Sequence, residues 1–537
     1  MIVHSRIGRG VVLASAAVFV VVALAPVAVM VAGSVSVDGG LSAAAYRDVL
    51  RTQRQWTLLG NSVGLAVLTA VACTALGLTL GLVLTRIRVP LRGLLVFLFA
   101  IPLVVPPYVF AMAWIHLLGQ RGAITAMIAQ LFGLEAAPFT IYGLAGAVFV
   151  LTLCYYPVVV LTTAVALVSA DVTQEEAGRL YGGWRRALTG ITLRQALPGC
   201  LAGGILVFVL ALGSFGVPSL LRLHVYALES FTKFNAFYDM AGATAASMPL
   251  VVLSLGALFG FERYRRRLSN AFVSSHGRQP PWLPVGRWRW CAWTACVVVL
   301  LVSVVLPLGV LAKEAGGIGA YAQALKTAWP ELAHTLLVGA LSATAMTLLA
   351  LPLAYVASRG RGWRRSVVDY APLLTFAVPG TVLGIGLIRL WNRGGAADWV
   401  YGTVAVVVFA CIARFMAVAH RGAAVALGQI DPSLEDAAAV SGVSWLRTGT
   451  GVVLPLVWRP LVGVWVVVFI LSVGELSASI LVCPAGFNTI TTRMFSLMHY
   501  GMNQLVAALA IMLVVCILAP LMVLAVAMRR YLGNAYA

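Results

Sequence analysis

The sequence predicts an all-α integral membrane protein with about twelve transmembrane helices in two parallel six-helix repeats. Three observations predict it. Of the 537 residues 61% are hydrophobic and only 10% are charged, against about 25% charged in soluble domains, so lipid is the main solvent. Apolar runs of roughly 20 residues recur along the chain, long enough for a helix to cross a hydrocarbon core of about 30 Å. Backbone polar groups inside lipid must be satisfied within each run, which makes the runs helical, and the short alternating strands of a barrel are not seen in the sequence. Finally, a series of landmark residues occurs twice, in the same order.

The runs fall at 10–34, 57–84, 93–117, 141–168, 199–221, 241–262, 290–312, 333–357, 367–391, 399–424, 461–483 and 504–528. The first follows His4, Arg6 and Arg9; it is too long for a signal-peptide core and lacks a clear small-residue cleavage site, so it reads as a span. With the N-terminus in the cytoplasm, the loops on that side carry Arg86, Arg88 and Arg92, then Arg179, Arg185 and Arg186, then Arg263, Arg265, Arg266 and Arg267, then Arg359, Arg361, Arg364 and Arg365, then Arg421 and Arg447, and finally Arg529 and Arg530. The opposite loops are poorer in arginine, which sets the orientation and puts both termini in the cytoplasm. This arrangement accounts for the net charge of +20 better than nucleic-acid binding does. The eight cysteines lie mostly inside apolar runs and form no CxxC or Cys/His cluster, so neither disulfides nor a metal site is expected.

The stretch 263–289 is basic and proline-containing, without apolar periodicity, and reads as a cytoplasmic linker. It divides the chain into a first repeat, 1–262, and a second, 290–537. Asn61-Ser62 opens a span that ends in Thr85-Arg86, and His334-Thr335 opens one that ends in Ser358-Arg359; each is followed by a proline-interrupted run, IPLVVPP at 101–107 and APLLTFAVPG at 371–380. A parallel duplication places a pathway at the interface of the halves.

The same loop of each half carries a common scheme of an acid, two small residues, and a glycine four residues on. In the second half these are Asp436, Ala437, Ala438 and Gly442, with Val452, Leu454 and Pro455 following. In the first they are Glu176, Ala177, Gly178 and Gly182, with Ile191, Leu193 and Pro198. The first copy departs by Gly178 in place of the second alanine and by Arg194 where the proline would stand. An Ala-rich start with an acid in its first turn favours a short helix. Asp171 and Asp431 are placed to cap it, small side chains admit a partner surface, and Gly182 and Gly442 can end it. A push on such a helix moves the span that follows.

These loops resemble the coupling-loop signature of bacterial ATP-binding-cassette (ABC) importer permeases. PLVVPPYVFAMAWIHLLG (102–119), SFGVPSLL (214–221), ARF (413–415) and GELSASILVCPAGFNTITTRMFSLMHYG (474–501) further resemble the fused twelve-span permeases of the ferric-iron importer family, which lies close to thiamine, polyamine and phosphonate permeases. The resemblance covers nearly the whole chain. It implies a bacterial inner-membrane subunit that moves substrate, with two copies of a cytoplasmic ABC ATPase on the two loops and a periplasmic substrate-binding protein on the other face. No GxxxxGK[ST] loop occurs in the sequence, so ATP is expected to be used by the partner and no cofactor is expected in this chain.

Ionisable groups inside spans are costly and are candidates for the pathway. Glu475 lies mid-run in VVVFILSVGELSASILV, and its first-half equivalent is Ser214-Phe215; Arg389 lies near the outer end of its run. Glu475, Ser214, Phe215 and Arg389 are therefore the expected pathway or gate residues. Asp369 and Arg414 are expected near the cytoplasmic side, and His116 near the outer interface. The segment with Glu229, Lys233 and Asp239, and the turn 483–487, are expected to meet the binding protein. An ion-coupled secondary transporter is the competing reading; it requires more intramembrane charge than is present. A membrane enzyme requires a catalytic pairing, and none occurs.

Overall fold

The computed structural model describes residues 6–37, 40–42, 44–134, 139–268, 282–360, 362–498 and 504–535; the expected linker falls in part on 269–281, outside the described residues. Nine helices there are long and apolar enough to span a membrane: Gly8–Ser34, Gln53–Arg86, Leu144–Val168, Val172–Leu212, Met240–Arg265, Trp288–Ala315, Ile318–Arg359, Val404–Gly428 and Trp445–Val473. Two further spans are broken pairs, Arg92–Val104 with Pro107–Phe132 bent by 96°, and Gly362–Ala377 with Gly380–Trp391 bent by 103°. The helix Gln504–Ala535 begins where the last span is expected. A two-residue antiparallel pair, Ser36–Val37 with Gly40–Leu41, is the β structure among the described residues.

Proline accounts for both breaks. Val105 and Pro106 take extended ψ values of 127° and 133°, and Pro379 a ψ of 143°. A proline pushes the residue before it out of the helical region and supplies no N–H to the preceding turn. The runs expected at 93–117 and 367–391 are therefore each two rods meeting at a sharp angle. The runs expected at 199–221 and 461–483 also change. Their helices stop before Gly213 and Gly474 and start far earlier, just after the kink at Gly183 and at Trp445. In each, a five-residue π-helical turn, Leu188–Thr192 or Gly449–Val453, joins the loop segment to the spanning helix without a gap. Loop and span thus form one rod.

Elements of the two halves correspond in length and order. Leu144–Val168 and Val404–Gly428 each have 25 residues, and Leu193–Leu212 and Leu454–Val473 each have 20. Further π turns, Val20–Leu24 and Leu301–Val305, occupy the middle of the first and seventh spans. Within each half three helices form the packed centre: Gln53–Arg86, Leu144–Val168 and Leu193–Leu212 in one, and Ile318–Arg359, Val404–Gly428 and Leu454–Val473 in the other. Glycine lets these helices approach closely, as where Gly203 faces the backbone of Val159 and Gly422 faces Val464. The first spans are exchanged. Gly8–Ser34 packs on Ile318–Arg359, Gly380–Trp391 and Val404–Gly428 besides Met240–Leu268 of its own half, while Trp288–Ala315 packs on the broken pair and Leu144–Val168 of the first half besides Gln504–Ala535 of its own.

Candidate functional site

Each acid-Ala-Gly loop is a capped helix. Asp171 accepts a hydrogen bond from the Thr173 amide at 2.9 Å, and Asp431 accepts one from the Ser433 amide at 2.9 Å. These bonds satisfy one of the free amides at each helix start. The Ser433 amide and hydroxyl hold the Asp431 carboxyl below the ordinary carboxylate range. A lowered folded value means that this cap is fully present above the unfolded carboxylate pKa and is lost as pH falls through the lowered one. The helices then run Val172–Ala187 and Pro432–Val440. Glu176, Ala177 and Gly178, and Asp436, Ala437 and Ala438, lie on the partly or fully exposed side. Large apolar side chains stand fully outward at the same level: Leu180 and Tyr181 are 91% and 90% exposed, and Val440 90%.

The turns differ by one residue. In the second loop Gly442 takes φ 73°, the left-handed conformation expected of it. In the first, Gly182 stays helical and Gly183 takes φ 73°. A doublet, Gly182-Gly183, stands where the second loop has Gly442-Val443, and the left-handed turn can be hosted only where there is no Cβ to strain.

The acids that anchor the loops are one position before those singled out in the sequence. Glu175 and Glu435 point inward and are buried. Glu175 pairs at 3.0 Å with Arg86, a fully buried guanidinium at the last residue of its helix. Glu435 pairs at 3.1 Å with Arg359, again the last residue of the equivalent helix, and accepts a hydrogen bond from the Tyr355 hydroxyl. Arg359 also donates to the carbonyls of Leu427 and Ile430. These arginines count in the sequence only toward the positive-inside bias. The available signal is the recurrence of two adjacent acids after each cap together with an arginine ending each half's second span.

Between the halves lies a cavity of about 460 Å³, in the size range of ligand sites. Its wall is built from equivalent positions: Tyr155 and Val158 of one half with Phe415 and Val418 of the other, Leu206 and Leu210 with Val467 and Leu471, and Gly213-Ser214-Phe215 with Gly474-Glu475-Leu476. Both proline breaks reach it, through Val105, Pro106 and Pro107 on one side and Phe376 on the other. Three of the expected pathway residues, Ser214, Phe215 and Glu475, border it. Phe215 stacks on Phe231 with ring centroids 5.2 Å apart. Glu475 accepts from the amides of Ala478 at 3.1 Å and Ser479 at 3.4 Å, which fixes the turn after the spanning helix.

Arg389 departs from expectation. It borders no part of the cavity and lies against Gly33 of the exchanged first span, because the bend at Pro379 swings Gly380–Trp391 away from the direction of a straight span. Arg414, expected near the cytoplasmic side, is the eleventh residue of Val404–Gly428, near the middle of the helix, and reaches the cavity. Asp369 lies near the arginine-rich end, 3.2 Å from Arg421 and 3.4 Å from the buried His420. His116 stands 3.9 Å from Glu314, both partly exposed. Glu229 pairs with Arg54 at 2.7 Å, Asp239 accepts from the Gly242 amide at 2.7 Å, and Phe487 stacks on His334. Among the described residues no group of three or more His, Cys, Asp or Glu side chains could hold a metal ion.

Residues 346–533 match the model of the family described as the binding-protein-dependent transport system inner membrane component. The chain is 24% identical over 486 residues to a ferric transport system permease protein of Actinobacillus pleuropneumoniae, covering 86% of this chain and 70% of the relative. It is 26% identical over 453 residues to a putative ferric transport system permease protein of Haemophilus influenzae, covering 80% and 70%. To a molybdenum transport system permease protein of Mycobacterium tuberculosis it is 30% identical over 227 residues, 39% of this chain and 81% of the relative.

Proposed function

Because the chain belongs to the binding-protein-dependent transport system inner membrane component family, we propose that it carries ferric iron across the inner membrane and is driven by two copies of a cytoplasmic ABC ATPase. It is a multi-pass inner-membrane permease subunit of an ABC importer. Relatives named as ferric transport permeases, aligned with most of the chain, support iron as the cargo. A periplasmic binding protein presents it on the face opposite the arginine-rich loops.

One observation carries the reading of the drive. Each half has a capped helix that is tied by a buried ion pair to its second span and that meets, across a left-handed glycine turn, a short helical segment continuous through a π turn with the fifth span. A force on Glu176, Ala177, Gly178 and Gly182, or on Asp436, Ala437, Ala438 and Gly442, is thereby delivered to helices that wall the cavity. The two repeats, 1–262 and 290–537, joined by the linker 263–289, offer two docking sites from one polypeptide. Both termini lie in the cytoplasm with the arginine-rich loops. ATP is hydrolysed by the partner, and this chain needs no cofactor of its own. Ser214, Phe215 and Glu475 form the wall and gate of the pathway.

The test is uptake of radiolabelled ferric iron into vesicles holding the whole importer with its binding protein. Uptake that requires ATP inside the vesicle and stops when Leu210 is replaced by Trp to fill the cavity is expected. ATP-independent uptake, or uptake indifferent to the filled cavity, contradicts the reading.

A further inference from the structure

Arg414 is the one basic side chain among the residues that line the cavity, and it is only 8% exposed. It rises from the middle of the Val404–Gly428 helix. One of its nitrogens, Nη1, donates to the Val378 carbonyl at 3.0 Å, next to the proline break. The other, Nη2, is aimed toward Gly213, where an added Cβ would lie 3.6 Å from it. The guanidinium thus sits where the breaks and the two Gly-containing turns converge. It is held from one side and open toward the cavity on the other. The carboxylate that shares the cavity is not free in the same way, since Glu475 spends its oxygens on the Ala478 and Ser479 amides of its own turn. Neither residue has a charged counterpart in the first half, where Cys154 and Ser214 occupy the equivalent positions.

A bare trivalent cation suits this cavity badly. Hard cations take several oxygen ligands, and here the lining is almost wholly apolar, with no acidic cluster among the described residues. The charge of Glu475 offsets part of that of Arg414 across the cavity, but its oxygens are taken by backbone amides, so the free hydrogen-bonding capacity that faces the cavity is that of the guanidinium N–H groups, which favour an anion over a cation. A volume of about 460 Å³ holds a small oxyanion or a compact chelate. We propose that Arg414 is the selectivity residue of the cavity, and that the substrate crosses as an oxygen-rich anion, either an oxyanion or a negatively charged complex of the metal, rather than as a bare cation. This rests on the reading of the cavity as the pathway.

The test uses the whole importer with its ATPase and binding protein in vesicles, supplied in separate arms with radiolabelled ferric citrate and radiolabelled molybdate. Arg414→Gln and Arg414→Lys are compared with the unsubstituted chain for uptake and for ATP hydrolysis stimulated by the loaded binding protein. Loss of one charge-assisted contact predicts about a tenfold fall in uptake for Arg414→Gln, with hydrolysis retained, and a far smaller fall for Arg414→Lys. The arm that responds tells a metal complex from a simple oxyanion. Undiminished or raised uptake by Arg414→Gln overturns the proposal, because a bare cation gains when the charge is removed. Equal loss of uptake and hydrolysis in both variants also overturns it and assigns Arg414 to holding Val378 alone. Transport of neither probe by the unsubstituted importer overturns the substrate class. Failure of the pathway reading shows itself separately, as uptake that survives Leu210→Trp.

Discussion

At the scale of single residues, the buried pairs Arg86–Glu175 and Arg359–Glu435 decide where the loop helices sit. Removing one member of a buried pair leaves the other uncompensated, at a cost of about 3–5 kcal/mol, whereas replacing both by apolar groups is often neutral. Arg86→Met is expected to lower the thermal unfolding midpoint of the purified protein substantially, and Arg86→Met with Glu175→Leu to recover most of it. A double variant no better than the single one would count against an anchoring role. Glu475 is expected to tolerate Gln, which keeps an acceptor for the Ala478 amide, better than Leu, which keeps none; uptake at matched expression reads the difference. The individual charges are legible in the sequence, and so is the cavity-lining trio Ser214, Phe215 and Glu475. The partners are not. An arginine at the end of a span satisfies the positive-inside pattern equally well whether it faces lipid headgroups or a buried carboxylate, and composition does not distinguish the two.

At the scale of elements, the segment after each left-handed glycine, the π turn and the fifth span form one continuous rod. The left-handed glycine sets the angle at which the rod leaves its docking helix. Gly183 and Gly442 have φ 73° and open space around a would-be Cβ, so alanine at either is opposed by backbone conformation alone. Gly183→Ala and Gly442→Ala are expected to weaken co-purification of the ATPase by similar amounts. Gly182→Ala, at a helical position facing only the flexible side chain of Arg186, is expected to do so much less. A Gly182→Ala effect as large as that of Gly183→Ala would contradict this geometry. The helical capping and the proline breaks can be read directly from Asp171, Asp431, Pro106 and Pro379, because each acts within a few residues. The choice between Gly182 and Gly183 is beyond sequence reasoning, since either glycine accepts the turn. The interruptions expected in 93–117 and 367–391 are found, but their bends of 96° and 103° are not legible in the sequence: a proline tells where a helix breaks and leaves the angle to the surrounding packing.

For the whole molecule, the exchanged first spans mean that neither half is enclosed without the other. Apolar periodicity marks Gly8–Ser34 and Trp288–Ala315 as helices, yet it says nothing about which neighbour covers them, so the exchange is invisible in the sequence. The polar cluster near the arginine-rich end is also one-sided. Glu262 accepts from Arg265 at 2.6 Å and, across the halves, from the Tyr370 hydroxyl at 3.3 Å, and Asp369 holds Arg421 and His420. Breaking this tie by Tyr370→Phe is expected to raise ATP hydrolysis in the absence of loaded binding protein, since one link between the halves is gone; unchanged basal hydrolysis would remove it from the mechanism. On the proposed function, one chain presents two docking helices to two ATPases. The native mass of the purified importer tests it most directly. One copy of this chain with two ATPase copies is expected, falling to one or none when Gly183 and Gly442 are both replaced by alanine. A complex holding a single ATPase in the unsubstituted protein would contradict it.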